Sequence, residues 1–328
     1  MSPKLCWRAA SLRACTTTVL LAGLVWLPRP SAAQTANGPL QQVVGGPGLD
    51  IDASVSPDGK SIVYASSRGG DLELWMRGIE GGALYQLTSA VDHSADRYPL
   101  LLPDGNTIVF QSDRVDRTRN IWTLNLRNRA LAQLTTFTDG GASHPSLSPD
   151  AQTICFTRTS AAGAVSIWLM TADGGNLREV SPGVDCTWTP SGKLVLARGS
   201  GGDPPARYDI WMMDQDGAHA VTVSAANHTW SRSPAVSPDG RWLAYTVYPS
   251  MFTGDIREVP GGFEIDPRVR TSIWLVSLAQ PTTPPREVVA QDAFNSYAGW
   301  TRDRRLLFTS TRTGSADIWS VAATQPSR

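Results

Sequence analysis

Short apolar triplets recur along the chain at long, regular intervals: Ile62-Val63-Tyr64, Ile108-Val109-Phe110, Ile154-Cys155-Phe156, Leu194-Val195-Leu196, Leu243-Ala244-Tyr245 and Leu306-Leu307-Phe308. Their apolar residues are adjacent rather than alternating, the pattern of a strand covered on both faces. Each triplet follows a polar turn: Ser56-Pro57-Asp58-Gly59, Leu102-Pro103-Asp104-Gly105, Ser148-Pro149-Asp150-Ala151, Thr189-Pro190-Ser191-Gly192, Ser237-Pro238-Asp239-Gly240 and, in degraded form, Thr301-Arg302-Asp303-Arg304. Proline presets φ at the first corner, aspartate bonds nearby amides, and glycine accepts a positive φ at the exit. Each triplet is followed by a tryptophan that itself follows Ile or Leu: Trp75, Trp122, Trp168, Trp211, Trp274 and Trp319. A fourth segment comes next, such as Leu84-Tyr85-Gln86-Leu87-Thr88 or Leu131-Ala132-Gln133-Leu134-Thr135.

The turns lie 46, 46, 41, 48 and 64 residues apart, a period that belongs to repeat architectures. Four short antiparallel strands, six times over, predict an all-β, six-bladed β-propeller of four-stranded antiparallel blades, with large flat tryptophans in the wedges between blades. The sixth repeat stops after Trp319 without a fourth strand. Leu40-Gln41-Gln42-Val43-Val44 resembles a fourth strand at the opposite end of the chain. The N-terminal strand near 40–44 is therefore expected to pair with the third strand of blade six and close the ring, which also protects its edges. Blade five departs from the period: its turn and Trp274 are 35 residues apart where the other blades need 16 to 20, which assigns an insertion over 248–271. That loop is expected on the same face as the start of strand one, as a partner contact, a lid or a tolerated insertion.

Composition adds an address. Residues 1–33 carry Lys4, Arg8, Arg13 and Arg29 and no acid, then the apolar run Thr16 to Leu27, then Pro28, Pro30 and Ser31-Ala32-Ala33. This is the order of a secretory signal, and the apolar run is short for a membrane span. The expected organisation is a signal peptide over 1–33 and a propeller over 34–328. Once cleaved, the chain would have no stable membrane span and a periplasmic or secreted location. Its 25 basic and 29 acidic side chains offer no basic face, which argues against a nucleic-acid partner. Cys155 and Cys186 remain after cleavage, in a compartment that permits a disulfide; because both sit in apolar strands, two separate buried thiols are the expectation.

The run Ser-Pro-Asp-Gly, an apolar strand, Ser-x-Arg (Ser66-Ser67-Arg68, Ser112-Asp113-Arg114, Ser310-Thr311-Arg312) and Ile/Leu-Trp resembles the TolB-type propeller family with its WD40-like repeats. The resemblance spans the chain after residue 33 and implies the fold. For function it implies several classes, because similar blades serve in TolB, in the gating propellers of prolyl oligopeptidase-like enzymes, in tricorn-like proteases and in oligogalacturonate lyases. The chain is expected to be propeller-only, lacking the N-terminal α/β domain of TolB. A Gly-x-Ser-x-Gly nucleophile turn is absent; Gly199-Ser200-Gly201 is the nearest run and reads as a hairpin. In-phase Arg68, Arg114 and Arg312 suggest a repeat-level structural role, such as bonding hairpin backbone.

In a propeller the first strand of each blade lines the central channel. Six residues before each turn aspartate, or before Ser191 in its place, the chain reads Asp52, Tyr98, His144, Asp185, Ser233 and Tyr297; two residues earlier it reads Asp50, Asp96, Ala142, Gly183, Ser231 and Asn295. Polar columns of this kind can hold a cation, a sugar or a peptide terminus, or simply line a water-filled channel. Arg97 and Arg232 are expected in local ion pairs with neighbours such as Asp96 and Asp92, or as a clamp for a carboxylate. The candidate binding set at the channel rim is Asp50, Asp52, Asp96, Arg97, Tyr98, His144, Asp185, Arg232 and Tyr297. His93, His144 and His228 occupy blades two, three and five, and are expected as separate surface histidines rather than a shared ligand sphere. No catalytic residue, metal centre or cofactor is assigned. The expected function is a protein- or envelope-component-binding scaffold; the alternative is a polysaccharide lyase or hydrolase with its site at the channel mouth.

Overall fold

The second strand of each blade is sealed on both faces, and this decides the architecture. Ile62, Val63, Tyr64 and Ala65 have no exposed surface. Ile62 and Tyr64 pack with Leu307 and Ile318, whereas Val63 and Ala65 pack with Leu101, Ile108 and Phe110. A strand whose alternate residues point into two different cores must be apolar throughout, which is why the triplets do not alternate.

The structure is a computed structural model and describes residues 38–91, 93–200, 207–224, 230–249, 257–259, 262–264, 268–280 and 283–323. Strand β1 (Gln41–Val44) comes first, and blade one then consists of β2 (Asp50–Val55), β3 (Ser61–Ser66), β4 (Glu73–Gly78) and β5 (Gly81–Gln86). Blade two is β6 (Asp96–Leu101), β7 (Thr107–Ser112), β8 (Asn120–Asn125) and β9 (Leu131–Gln133). Blade three is β10 (Gly141–Leu147), β11 (Thr153–Thr159), β12 (Val165–Thr171) and β13 (Arg178–Pro182). Blade four is β14 (Val184–Trp188), β15 (Leu194–Ser200), β16 (Arg207–Met213) and β17 (Val221–Ser224). Blade five is β18 (Trp230–Val236), β19 (Trp242–Tyr248), β22 (Thr271–Ser277) and β23 (Arg286–Ala293), with β20 (Arg257–Val259) and β21 (Gly262–Glu264) pairing separately inside the insertion. Blade six is β24 (Asn295–Trp300), β25 (Arg305–Ser310) and β26 (Asp317–Ala322). The chain is an all-β, six-bladed propeller of four-stranded antiparallel blades, and among the described residues no helix is long and apolar enough to cross a membrane. The secretory reading of 1–33 falls outside the described residues.

β1 supplies the missing fourth strand of blade six. It pairs antiparallel with β26 through Gln41↔Ser320, Gln42↔Trp319 and Val44↔Ile318. Gln42 Nε2 donates to Asp317 at 2.9 Å, and Arg305 donates to Gln41 Oε1 at 2.6 Å, which fixes the register.

The turns of blades one, three and five share one device. Ser56 Oγ donates to Asp58 at 2.5 Å, Asp58 accepts from the Lys60 amide, and Ser56 Oγ accepts from the Ser61 amide. Ser148 with Asp150 and Ser237 with Asp239 repeat it. Neighbouring blades are latched through the backbone. The amides of Asp50, Asp96, Ala142 and Gly183 donate to the carbonyls of Ala316, Leu72, Arg119 and Val165, each three residues before the tryptophan of the preceding blade. The tryptophans face those same wedges, and Arg68, Arg114, Arg198 and Arg312 stack over Trp75, Trp122, Trp211 and Trp319 at 5.2 to 5.4 Å.

Cys155 and Cys186 are not separate thiols. They form a disulfide between β11 and β14, with a Cα–Cα distance of 6.3 Å. The strands belong to adjacent blades, and the wedge between them brings together two cysteines 31 residues apart; linear spacing carries no trace of this. Closing a 31-residue loop removes unfolded-chain entropy worth about 3.5 kcal/mol. Urea unfolding with and without reductant is expected to differ by roughly that amount, and Cys155→Ser is expected to abolish the difference.

Candidate functional site

Among the described residues, five first strands show the same backbone irregularity. Asp52, Tyr98, His144, Asp185 and Ser233 have φ of 56°, 51°, 53°, 57° and 51°, left-handed values that side chains other than glycine, asparagine and aspartate seldom adopt. Each lies inside a register shift of its strand: Ile51/Ser54, Arg97/Leu100, Ser143/Ser146, Val184/Thr187 and Arg232/Ala235. This is a β-bulge repeated around the ring. Blade six has the same shift between Ser296 and Gly299, spanning Tyr297, whose side chain lies outside the described residues. Pro99, Pro145 and Pro234 follow the bulge residue in blades two, three and five, where a missing N–H costs no ladder bond.

The bulge residues and their neighbours join around the channel from blade one to blade five. Arg97 in blade two donates to both oxygens of Asp52 in blade one, Nε to Oδ2 at 2.8 Å and a terminal nitrogen to Oδ1 at 3.2 Å. The Arg97 guanidinium also lies 4.4 Å from the centre of the Tyr98 ring. Tyr98 stacks on His144 of blade three with ring centres 3.7 Å apart. His144 Nε2 is 3.6 Å from Asp185 of blade four. Arg232 in blade five grips both oxygens of Asp185 at 3.0 and 3.1 Å, and the Ser233 amide donates to the same carboxylate at 3.1 Å. The two arginines are thus paired with the bulge aspartates of the preceding blades, Arg97 with Asp52 and Arg232 with Asp185; Asp92 lies outside the described residues. The two Asp–Arg clamps lie three blades apart, on opposite sides of the ring.

Asp185 is nearly sealed from solvent. Burial opposes its ionisation, but the charges of Arg232 and His144 and the hydrogen bonds from Arg232 and Ser233 outweigh burial and hold the carboxyl at about 2. Asp50 and Asp96 are in a different position. Both are buried, accept from Arg68 at 2.8 Å and Arg114 at 2.6 Å, and have carboxyls raised by burial against the lowering effect of those arginines. Arg68 and Arg114 also donate to Ser66 and Ser112, and Arg312 binds Asn295 and Ser310 in the same way. The in-phase arginines therefore tie a first-strand side chain to the Ser-x-Arg corner and stack on tryptophan, rather than bonding hairpin backbone. Within the rim set the structure brings together Asp52, Arg97, Tyr98, His144, Asp185 and Arg232, and keeps Asp50 and Asp96 inside their blades.

His93 is exposed and pairs with Asp71 at 3.0 Å, apart from His144; His228 lies outside the described residues. Among the described residues no three His, Cys, Asp or Glu side chains are grouped to hold a metal ion. Ser200 ends β15 and accepts from Arg207 Nε at 3.1 Å, on a strand instead of a nucleophile elbow. Two aromatic residues escaped the sequence reading. Tyr208 and Trp230 face each other at 5.3 Å between blades four and five, close enough to the clamp that Tyr208, raised by burial, also senses Arg232 and Asp185. Both are aromatics out of phase with the six wedge tryptophans, a signal they share with Trp188, Trp242 and Trp300.

The depressed Asp185 carboxyl has a consequence in acid. Its folded value lies below the ordinary 3.8, so the stability it contributes, roughly 2 kcal/mol, is complete above about pH 4 and disappears as pH falls toward 2. Arg232→Met leaves a buried carboxylate without its main counter-charge and is expected to cost about 3 kcal/mol at neutral pH. Urea unfolding measured between pH 2 and 7 checks both: wild type should weaken below pH 4, and the variant should lose most of that acid dependence.

No protein-family model matches the chain. It is similar to the uncharacterized peptidase YuxL of Bacillus subtilis, 24% identical over 193 residues, which is 45% of this chain; it spans only 29% of that relative's length. In fold it is similar to a putative TolB from Agrobacterium tumefaciens, with a TM-score of 0.63 and 13% identity over 87% of this chain and 97% of the other. It is also similar to an oligogalacturonate lyase from Vibrio parahaemolyticus, with a TM-score of 0.57 and 12% identity over 90% of this chain and 95% of the other. At these identities the likeness is one of fold: the chain folds as propellers of the TolB type do.

Proposed function

We propose that this is an exported propeller that binds a protein or another cell-envelope component at the channel mouth, through Tyr98, His144 and the two Asp–Arg clamps. The observation that carries this reading is the left-handed bulge occupied by five non-glycine side chains. Such conformations cost of order 1–3 kcal/mol each and persist where the surrounding structure holds them in place, which is common at ligand clamps. Here they gather an arginine–tyrosine–histidine chain from blades two and three, with Tyr208 and Trp230 near the second clamp, and aromatic residues with arginine are the usual anchors of protein recognition. The insertion over 248–271 leaves β19 at Tyr248, beside the first residue of β18, and so starts at the same end of blade five. The basic, apolar and small-residue order of residues 1–33, together with the disulfide, supports export to an oxidising compartment.

A second reading rests on His144 and Asp185. The His144 imidazole is held 3.6 Å from the Asp185 carboxylate, beyond hydrogen-bond distance of it, and a ring held in this way can exchange a proton with a bound ligand, which suits a lyase or hydrolase acting on a polysaccharide.

One pair of variants separates the readings. Asparagine tolerates left-handed φ, so Tyr98→Asn and His144→Asn remove the rings without loading the bulge. In a pull-down from envelope extract, both variants are expected to lose the partner captured by the wild type, with melting temperatures unchanged to within about 2 °C. A partner set untouched by both substitutions would sink the binding site proposed here. If the wild type instead releases an unsaturated product from a uronate oligosaccharide and His144→Asn does not, the enzyme reading replaces it.

A further inference from the structure

The wedge between blades six and one differs from the wedges closed by blades two to four on the face of the Ser-Pro-Asp-Gly turns. In blades two to four the hairpin joining the third and fourth strands closes against the preceding blade: Arg129 donates to the Leu87 carbonyl, Gly174 sits against Leu134, and Gly217 sits against the Val180 carbonyl. In blade one this hairpin is shortened to Ile79-Glu80 between the paired Gly78 and Gly81. A Cβ on Gly81 would meet only the end of Arg77, and one on Gly82 would meet nothing within 4 Å. The short, side-chain-poor hairpin leaves a cavity of 560 Å³ against β1 and the sixth turn. That volume is ample for a small molecule.

Two guanidinium groups line this cavity. Arg305 is fixed in its wall by hydrogen bonds to Gln41 at 2.6 Å and Ser320 at 2.7 Å, both neutral groups, and among the described residues it has no carboxylate partner. Arg77 has no hydrogen bond or ion pair among the described residues, and its Nε is buried without an acceptor. Buried guanidinium donors are seldom left unsatisfied. The two acids of the lining do not serve: Glu80 is exposed, and Asp303 accepts from Thr301 Oγ1 at 2.5 Å. The remaining wall offers amides and hydroxyls from Gln41, Thr301 and Ser320 over an apolar floor that includes Leu307.

We infer that this wedge is a binding site for a small hydroxylated organic carboxylate, whose acid group meets Arg77 and Arg305 and whose hydroxyls meet the amide and hydroxyl wall. Arginine suits this role because its planar fork matches a carboxylate, and Arg305, already fixed in the wall, sets the orientation while Arg77 closes on the acid group. The site lies on the blade six–one seam and does not depend on the reading of the channel mouth.

Calorimetric titration of the purified protein with citrate tests it, with inorganic phosphate as the comparison. The wild type is expected to bind citrate saturably and more tightly than phosphate. Arg77→Gln is expected to weaken citrate binding by about tenfold or more without changing the melting temperature of the free protein, and Arg77→Lys to recover part of the loss. Tyr98→Asn, at the channel mouth, should leave citrate binding as it is. The inference is overturned if the wild type shows no saturable citrate binding, if phosphate binds as tightly as citrate, or if Arg77→Gln binds citrate as the wild type does.

Discussion

Burial of every second strand on both faces is the constraint from which the rest of this molecule follows. Ile62 and Tyr64 need blade six, Val63 and Ala65 need blade two, and the same holds around the ring, so that six apolar clusters fill six wedges. A blade on its own would leave one or both faces in water, at about 25 cal/mol for each Å² of apolar surface. A ring of such blades has to be complete, and the chain completes it with β1, whose two glutamines bond Asp317 and Arg305 across the seam. The backbone latches between blades and the disulfide of blades three and four act on this same requirement from the polar and covalent sides.

The channel follows from a second, smaller constraint. Each first strand takes a bulge halfway along, and the bulge turns one side chain out of the ladder and into the ring. Where that residue is an aspartate, in blades one and four, an arginine from the next blade covers it with two hydrogen bonds. In blades two and three, where it is Tyr98 and His144, the rings stack on each other between the two clamps. The clamps bind one blade to the next while they place charge inside the ring, so stability and the candidate site share the same side chains.

The repeat, the six blades and the closing strand were all legible in the chain, because each rests on a local signal: a turn with its own chemistry, an apolar triplet or an in-phase tryptophan. The column six residues before each turn was legible as well, since counting from a fixed turn locates a position on a strand. Its chemistry was less so. Asp50 and Asp52 look alike in sequence, yet the first is held inside its blade by Arg68 and the second faces the channel under Arg97. The arginine partners come from 18 and 45 residues away, and nothing local distinguishes them.

By itself, then, the sequence determined the fold, because hydrophobic period and turn chemistry act over a few residues and repeat six times in phase. Tertiary structure alone decided the pairings between blades: the joining of Cys155 to Cys186, the partners of Arg97 and Arg232, the meeting of Tyr208 with Trp230, and the seam cavity opened by a hairpin two residues long. The physical reason is the same in each case. These contacts depend on how two separately formed sheets sit face to face, and that distance and angle are set by the whole ring rather than by any stretch of the chain.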